Sequence, residues 1–327
     1  MEEHIEKGAV LALCPNPAWQ KTLIFDKLQI AAVNRAASVS ECGGGKGVNV
    51  ARVLRKLGSQ VSVAAFVGGD TGKKLVEELK QSGAGDLTLF CQTATRCCYT
   101  IIDQASGKAT ELIEPSPVIQ ESEVAALLAS LSAKIPRFAA LCLSGSTPYG
   151  VGPEFYAQIA AMAAAAGIPV LLDACRDIQA TLETAAIQVL KINAAEAREF
   201  SGEENLPAAA RRILADFPVP WLAVTDGPGT AWLFSGKQTW RFSIPPLSAI
   251  VSPIGAGDCA AAILTRHLAE SQAPEKMPVF FADALACASA SRLTAYPSLF
   301  DPAEAEKIRA AIRIDSQVPE YSNRQGL

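Results

Sequence analysis

Ser252-Pro-Ile-Gly-Ala-Gly-Asp-Cys-Ala-Ala-Ala-Ile-Leu264, SPIGAGDCAAAIL, sets two glycines and an aspartate directly before an alanine-rich apolar run. The run reads as a helix. The start of a helix favours a carboxylate, because free N–H groups and the macrodipole make that end positive. On that reading Asp258 is a cap. The glycines allow a second reading. Gly255 and Gly257, on either side of Ala256, leave a turn whose N–H groups face outward with little side chain in the way, an arrangement that holds phosphate and other anions. Asp258 then stands beside an anion site whose cradle is the backbone of Gly255, Ala256 and Gly257. The four residues alone leave both readings open.

Outward from this stretch, short β-rich apolar runs alternate with amphipathic helical ones. Strands are expected at Ala9–Cys14, Val61–Val67, Ala139–Leu143, Pro169–Asp173, Val189–Ile192 and Trp221–Thr225. Helices are expected at Gly47–Leu57, where Val50, Leu54 and Leu57 recur on one face, and at Pro153–Ala166. A βαβα rhythm implies an α/β fold, with a mainly parallel central sheet and helices on both faces. Two regions break the rhythm. Thr22–Ser40 and Arg96–Leu112 read as short extended segments, the second turning at Gly107, and together form a small sheet beside the main one. With no internal repeat and no linker rich in Gly, Ser or Pro, residues 1–327 read as one domain. The polar tail after Ile314 is expected to fray.

The totals exclude several function classes. Half of the residues are hydrophobic and 19% charged, which describes a globular chain. A net charge of −4 without a basic block argues against nucleic acid or an anionic membrane as partner. The first residues are acidic where a signal peptide carries positive charge, and the apolar run after them is too short to span a bilayer, so a cytoplasmic protein is expected. Nine scattered cysteines contain no C-x-x-C pair, so reduced thiols are expected rather than a zinc site. With two histidines, His4 and His267, chemistry built on a histidine base is disfavoured.

Polar motifs recur where strands give way to helices. Glu41–Gly58, ECGGGKGVNVARVLRKLG, runs from three glycines, Lys46 and Gly47 straight into a helix. It is neither a Walker A loop nor G-x-G-x-x-G, since the last position counted from Gly43 is Val48. Close approach of backbone to a small polar ligand explains the glycines, with Asn49 one turn in to bond a hydroxyl. Ser144, Gly145 and Ser146 follow an apolar strand, at the end where parallel sheets collect ligands. Asn193 and Glu196, three apart at a strand-to-helix junction, read either as a cap with its first-turn glutamate or as a pair that orders metal-bound water. AVTDGPGTAWLF is a hairpin by itself and, beside SPIGAGD, part of a nucleotide pocket.

Taken in order, NPAWQKT, VNRA, GGGKGVNVARVLRKLG, FVGGDTG, TATRCCYTIID, TELIEPSP, LSGSTPYGV, INAAE, TDGPGTA and SPIGAGD span nearly the whole chain. The chain resembles the ribokinase-like sugar kinases of the PfkB family, and within them the phosphosugar branch of 1-phosphofructokinase, the minor 6-phosphofructokinase and tagatose-6-phosphate kinase. The resemblance implies a three-layer ribokinase-like fold with a small β lid, its strands within about residues 20–40 and 96–112. It also implies ATP and Mg²⁺, a sugar phosphate as the second substrate, and a homodimer paired through the lid. Residue by residue, it makes Asp258 the base that takes the acceptor's hydroxyl proton, and Gly255, Ala256 and Gly257 the anion hole for the transferring phosphoryl group. Asn193 and Glu196 would order Mg²⁺ and its waters, while Asn193, Thr225, Gly227 and Gly229 would contact the nucleotide. Gly44, Gly45, Lys46 and Asn49 would form the sugar loop, Arg96 and Ser146 would hold the phosphate already on the sugar, and Arg35 would add charge from the lid. Phosphoryl transfer asks for positioning and charge neutralisation more than covalent catalysis, so the scarcity of histidine fits.

Some positions depart from that branch. Gln20 stands where an aspartate usually accepts from sugar hydroxyls, Pro253 where threonine is common, Cys259 for serine and Thr230 for glycine; Arg96 is followed by the vicinal Cys97 and Cys98. The expectation is ATP-dependent phosphorylation of a fructose 1-phosphate, fructose 6-phosphate or tagatose 6-phosphate type of acceptor. Two alternatives stay open on the same residues: a kinase of a free sugar or nucleoside, and a catalytically weak sugar-phosphate-binding protein.

Overall fold

The computed structural model describes residues 8–184, 186–247, 250–252, 254–270, 273–294 and 296–317. Ten strands make the central sheet, in the spatial order Arg313–Gln317, Thr239–Ser243, Thr230–Phe234, Trp221–Asp226, Ile187–Asn193, Val170–Asp173, Ala140–Ser144, Val10–Leu13, Val61–Ala64 and Gly85–Asp86. From Trp221–Asp226 to Gly85–Asp86 neighbours run parallel, and the three strands at the other edge are antiparallel. Strands such as VLAL and VLLD are apolar throughout because both faces are covered. Val10 and Ala12 enter the core on one face, under helices Lys46–Lys56, Ala256–Glu270 and Met277–Ser291. Leu11 and Leu13 enter the other, under Glu121–Lys134, Glu154–Ala165, Ala194–Ser201 and Leu206–Asp216. The result is the three-layer α/β architecture that the alternation implies.

A second sheet has four strands in the order Ser38–Gly44, Ala18–Phe25, Arg96–Asp103 and Lys108–Ile113. Both segments that broke the helical rhythm contribute to it, and Gly107, with φ 66°, turns the last hairpin. The stretch from 26 to 37 is loop rather than strand. The expected strand Val61–Val67 is two strands, because Phe66–Gly68 leaves the central sheet to pair with Leu89–Cys91. Beyond Ile314 the chain continues as strand to Gln317, its ladder completed by Thr239–Ser243, and the rest of the tail lies outside the described residues. All nine cysteines are free thiols, four buried and five half-buried. Among the described residues no helix is long and apolar enough to cross a membrane.

Candidate functional site

The carboxyl ends of the parallel strands gather the polar residues that the sequence scatters. Val10–Leu13 leads to Asn16, Ala140–Ser144 to Ser146, Val170–Asp173 ends on Asp173, Ile187–Asn193 carries Lys191 and Asn193, and Trp221–Asp226 carries Thr225. Open parallel sheets place their ligand crevice at this edge. The helices Lys46–Lys56 and Ala256–Glu270 start there and pack side by side. The first turn of a helix leaves N–H groups without an intrahelical partner, and at the Lys46–Lys56 helix those of Gly47 and Val48 meet the Cys14 thiol.

Asp258 lies inside the first turn of its helix, since Ala256 is already helical, and so does not precede the helix as a cap. Its Oδ2 accepts from Asn49 Nδ2 at 2.7 Å, which joins the two glycine motifs across 209 residues of sequence. Arg52 Nη1 donates to Asn49 Oδ1 at 2.6 Å and fixes the amide orientation. Asp258 is 8% exposed, and burial pushes its carboxyl above the ordinary range. The charge of Asp173 adds to that push, while the Asn49 hydrogen bond and the Lys46 and Lys191 ammonium groups act against it.

The glycines divide into two kinds. Gly45 has φ 108°, and a Cβ there would stand 2.7 Å from Cys14 Sγ; one at Gly47 would stand 2.5 Å from the Leu13 carbonyl oxygen. At these two positions the chain itself fills the space a side chain would need, and the helix can start only by lying directly on the strand end. Gly255 has φ 78° and a Cβ there would stand 2.7 Å from the backbone N of Ser298, whose Oγ donates to the Gly255 carbonyl at 3.0 Å. Gly44 differs: a Cβ there would meet Gln20 Cβ at 3.1 Å and Gln20 Oε1 at 3.6 Å, so the Gln20 amide and the glycine strand face each other. Gln20 Nε2 donates to Thr100 Oγ1 at 2.6 Å.

Asn193 and Glu196 form a reciprocal capping box, with Asn193 Oδ1 accepting from the Glu196 N–H at 2.9 Å and Glu196 Oε2 accepting from the Asn193 N–H at 2.8 Å. Each has a hard oxygen donor, suited to Mg²⁺ that keeps most of its water. Among the described residues no cluster of three His, Cys, Asp or Glu forms a cage of its own. A cleft of about 290 Å³ is lined by Asn193, Thr225, Gly227, Ala256 and Gly257, together with Arg292. Asn193 and Thr225 are register partners on adjacent strands. Gly229 lies outside that lining, its carbonyl accepting from the Ile244 N–H at 2.9 Å. Thr230 begins the second hairpin strand, and Cys259 is fully buried in the core, turned away from the cleft. Pro253 lies outside the described residues.

On the other side of Asp258, Asn16 Nδ2 donates to Ser116 Oγ at 2.8 Å and Ser146 Oγ at 3.4 Å, while Arg96 Nη2 donates to the Asn16 carbonyl at 3.4 Å. Asn16 Oδ1 and Arg96 Nε are buried without a hydrogen-bond partner. Arg96 and Ser146, 50 apart in sequence, are thus brought together through Asn16. Arg35 is not brought in: it is exposed in the 26–37 loop.

Three participants escaped the sequence reading. Asp173 is 1% exposed and takes Lys46 Nζ on Oδ1 at 2.9 Å and Lys191 Nζ on Oδ2 at 3.0 Å. A lysine inside the apolar strand VLKIN was the available signal for Lys191, since such a residue is almost never buried without a partner. Asp173 ends an expected strand at the ligand edge, and position was its signal. Asn16 opens the NPAWQKT motif, which gave it no role of its own.

A family model described as pfkB family carbohydrate kinase matches residues 9–301. Among solved structures, phosphofructokinase-2 from Escherichia coli in complex with substrates and products is 24% identical, with a TM-score of 0.81 over 94% of this chain and 99% of that one. A Thermotoga maritima protein titled as a possible 1-phosphofructokinase is 20% identical, with a TM-score of 0.85 over 94% and 99% of the two chains. A carbohydrate kinase from Agrobacterium tumefaciens is 20% identical, with a TM-score of 0.71 over 95% and 100%. At these identities the likeness is one of fold.

Proposed function

The chain belongs to the pfkB family of carbohydrate kinases, and on that premise we propose that it moves the terminal phosphoryl group of ATP to a hydroxyl of a phosphorylated ketohexose. Fructose 1-phosphate, fructose 6-phosphate and tagatose 6-phosphate are the acceptor types to try. The observation that carries the acceptor class is the corner formed by Asn16, Arg96, Ser116 and Ser146. It offers a guanidinium and two hydroxyls next to a buried amide oxygen and a buried Nε that lack partners. Arginine with hydroxyl donors is the usual grip on a phosphate.

In this reading the acceptor lies along the Gly44 strand end, near Asn49 and Gln20, with its phosphate at Arg96 and Ser146. The nucleotide lies in the cleft of Asn193, Thr225, Gly227 and Gly257, its phosphates toward the N-terminus of the Ala256–Glu270 helix. Asp258 takes the proton of the attacking hydroxyl. The hydroxyl oxygen bonds to the γ-phosphorus, the bond to the bridging oxygen breaks, and its electron pair leaves with ADP. The N–H groups at Gly255, Ala256 and Gly257 stabilise charge on the group in transit. Burial that raises the Asp258 carboxyl makes it a better proton acceptor than an exposed aspartate. Mg²⁺, when bound with ATP, neutralises phosphate charge; Glu196 and Asn193 would hold its water shell.

Assembly belongs to the same reading. The free edge strand Lys108–Ile113 is exposed along its length, with Leu112 and Ile113 bare and Val39 on the opposite edge. A second copy pairing through this lid sheet would cover those edges. Sedimentation of the chain with Thr110→Pro on that strand would separate a dimer from a monomer. The function itself is tested by ADP release from MgATP against free sugars, nucleosides and hexose phosphates, with Asp258→Asn as control. Turnover confined to a ketohexose phosphate supports the reading; turnover with free sugars alone overturns the acceptor class.

A further inference from the structure

The two halves of the cleft meet at a carboxylate that belongs to neither motif. Lys46 reaches Asp173 from the first turn of the glycine-loop helix, on the acceptor side. Lys191 reaches it from the strand that leads to Asn193, on the nucleotide side, and is 4% exposed. Lys191 Nζ also lies against the anion turn, because a Cβ built on Gly257 would stand 3.1 Å from it. A lysine is a point charge on a flexible stem, and two ammonium groups drawn into one crevice repel. A carboxylate that bonds one on each oxygen removes the repulsion and fixes both. An amide has a single acceptor oxygen and cannot hold them symmetrically.

We propose that Asp173 is a positioning residue: by holding Lys46 and Lys191 on separate oxygens it keeps one ammonium group at the acceptor and one against the Gly255–Gly257 turn, and so sets the rate of phosphoryl transfer without touching either substrate. This rests on the kinase reading above. The charge arithmetic gives it a consequence. Lys46 and Lys191 are balanced by Asp173 and ionised Asp258. When Asp258 takes the hydroxyl proton the four groups become net positive, at the step in which charge is spread over the transferring group. The ammonium groups stand ready beforehand and need no rearrangement to meet it.

The experiment compares wild type, Asp173→Asn and Lys191→Met in steady-state turnover with MgATP and the hexose phosphate that wild type uses, over about pH 5 to 9, with thermal melting of each. Asp173→Asn is expected to lower kcat by about 10²-fold, with the KM values for ATP and acceptor changed by less than about threefold. A purely structural role would instead lower the fraction of active protein and leave the pH profile alone. Among the described residues the charged and titratable groups that act on Asp258, or feel its charge, are Asp173, Lys46, Lys191 and the buried thiols of Cys14 and Cys259. Removing the negative charge of Asp173 moves the acidic limb of kcat/KM to lower pH, and removing the positive charge of Lys191 moves it to higher pH. Opposite shifts with reduced kcat support the proposal. A folded Asp173→Asn protein with kcat within about threefold of wild type, or limbs that stay put or move together, overturns it. If Asp173→Asn does not fold, Lys191→Met decides alone, because it leaves the one-to-one Lys46–Asp173 pair; unchanged kcat or an unmoved limb there overturns the proposal. Wild type without turnover on any sugar phosphate would sink the kinase reading and this with it, whereas normal wild-type turnover beside an unaffected variant sinks this alone.

Discussion

Asp173 and Asp258 are both buried, and their surroundings shift the two carboxyls in opposite directions from the ordinary value. Burial pushes both carboxyls up. At Asp173 the Lys191 and Lys46 ammonium groups outweigh burial and hold the carboxyl below the ordinary range. At Asp258 burial prevails, the charge of Asp173 reinforces it, and an amide is the direct partner. Burial therefore does not decide what a carboxylate does; its partners do. Ammonium groups on both oxygens make a fixed anion that stays charged. One amide leaves a carboxylate that gains from taking a proton, as a general base must.

Asp258→Asn should separate the two carboxylates most strongly. If Asp258 is the base, turnover should fall by about 10³-fold or more, since the base is then gone while the glycine turn remains. Stability should move the other way. A carboxyl whose folded pKa lies above its unfolded value is more stable in the fold when protonated, and its ionised form costs stability as pH rises through the folded value. An amide of the same shape never carries that charge and can still accept from Asn49. The melting temperature at neutral pH should rise. A variant that keeps activity within tenfold, or melts well below wild type, would mean that Asp258 is a fixed anion that takes no proton in the reaction.

The same exchange at Asp173 should do the reverse to stability. Asp173→Asn leaves a buried Lys191 without its counter-charge, a change worth about 3–5 kcal/mol when one partner of a buried pair is removed. The sign with pH follows from the lowered carboxyl. Its contribution is present above the unfolded value and is lost as pH falls through the folded one. Urea midpoints of wild type and variant should differ most near neutrality and converge in acid. A constant gap would place the cost in packing rather than charge.

Between the two lies Asn49, the direct donor to Asp258. Asn49→Leu removes that hydrogen bond and strands Arg52 Nη1. Asp258 should then protonate at higher pH, moving the acidic limb of kcat/KM upward. At neutral pH kcat/KM should drop by about tenfold, the scale of a hydrogen bond to a charged group. An unmoved limb would show that Asn49 serves the acceptor alone.

The legible part of this molecule was its rhythm and its glycines. GGGKG and GAGD each announced a helix start lined by backbone, and apolar runs of four to seven residues marked the central strands. Pairing was not legible. That Ala18–Phe25 lies parallel to Arg96–Asp103 depends on contacts across nearly eighty residues, and no local pattern encodes them. Val61–Val67 reads as one run, yet Phe66–Gly68 serves another sheet. Asp173 escaped for a related reason. Its strand was expected to end there, but its partners come from an adjacent strand and from a distant helix, and only the folded register places two lysines on two oxygens. Asn193 and Glu196 show the converse. A cap and a pair of oxygen donors for metal-bound water ask for the same residues at the same spacing, so the capping box answers one reading without removing the other.

Gln20 allows the mildest test, by adding a third carboxylate with neither partner set. Its Nε2 is committed to Thr100 Oγ1, a hydroxyl on a residue 1% exposed, and that bond turns Oε1 toward Gly44. The amide thus presents one neutral acceptor oxygen beside Gly44, where the proposed sugar phosphate would lie. Gln20→Asp shortens the side chain, gives up the bond to Thr100 as donor and offers two charged oxygens, each a stronger partner for a sugar hydroxyl. No ammonium group is bonded to this position, unlike Asp173, and it is half-exposed, unlike Asp258. It should therefore stay ionised and act on binding alone. The acceptor KM should fall by about three- to tenfold, the scale of one improved hydrogen bond, with kcat and the KM for ATP nearly unchanged. A rise in acceptor KM would give the opposite lesson: the Thr100-anchored amide is then this chain's own fit to its acceptor, and a carboxylate here would repel part of it.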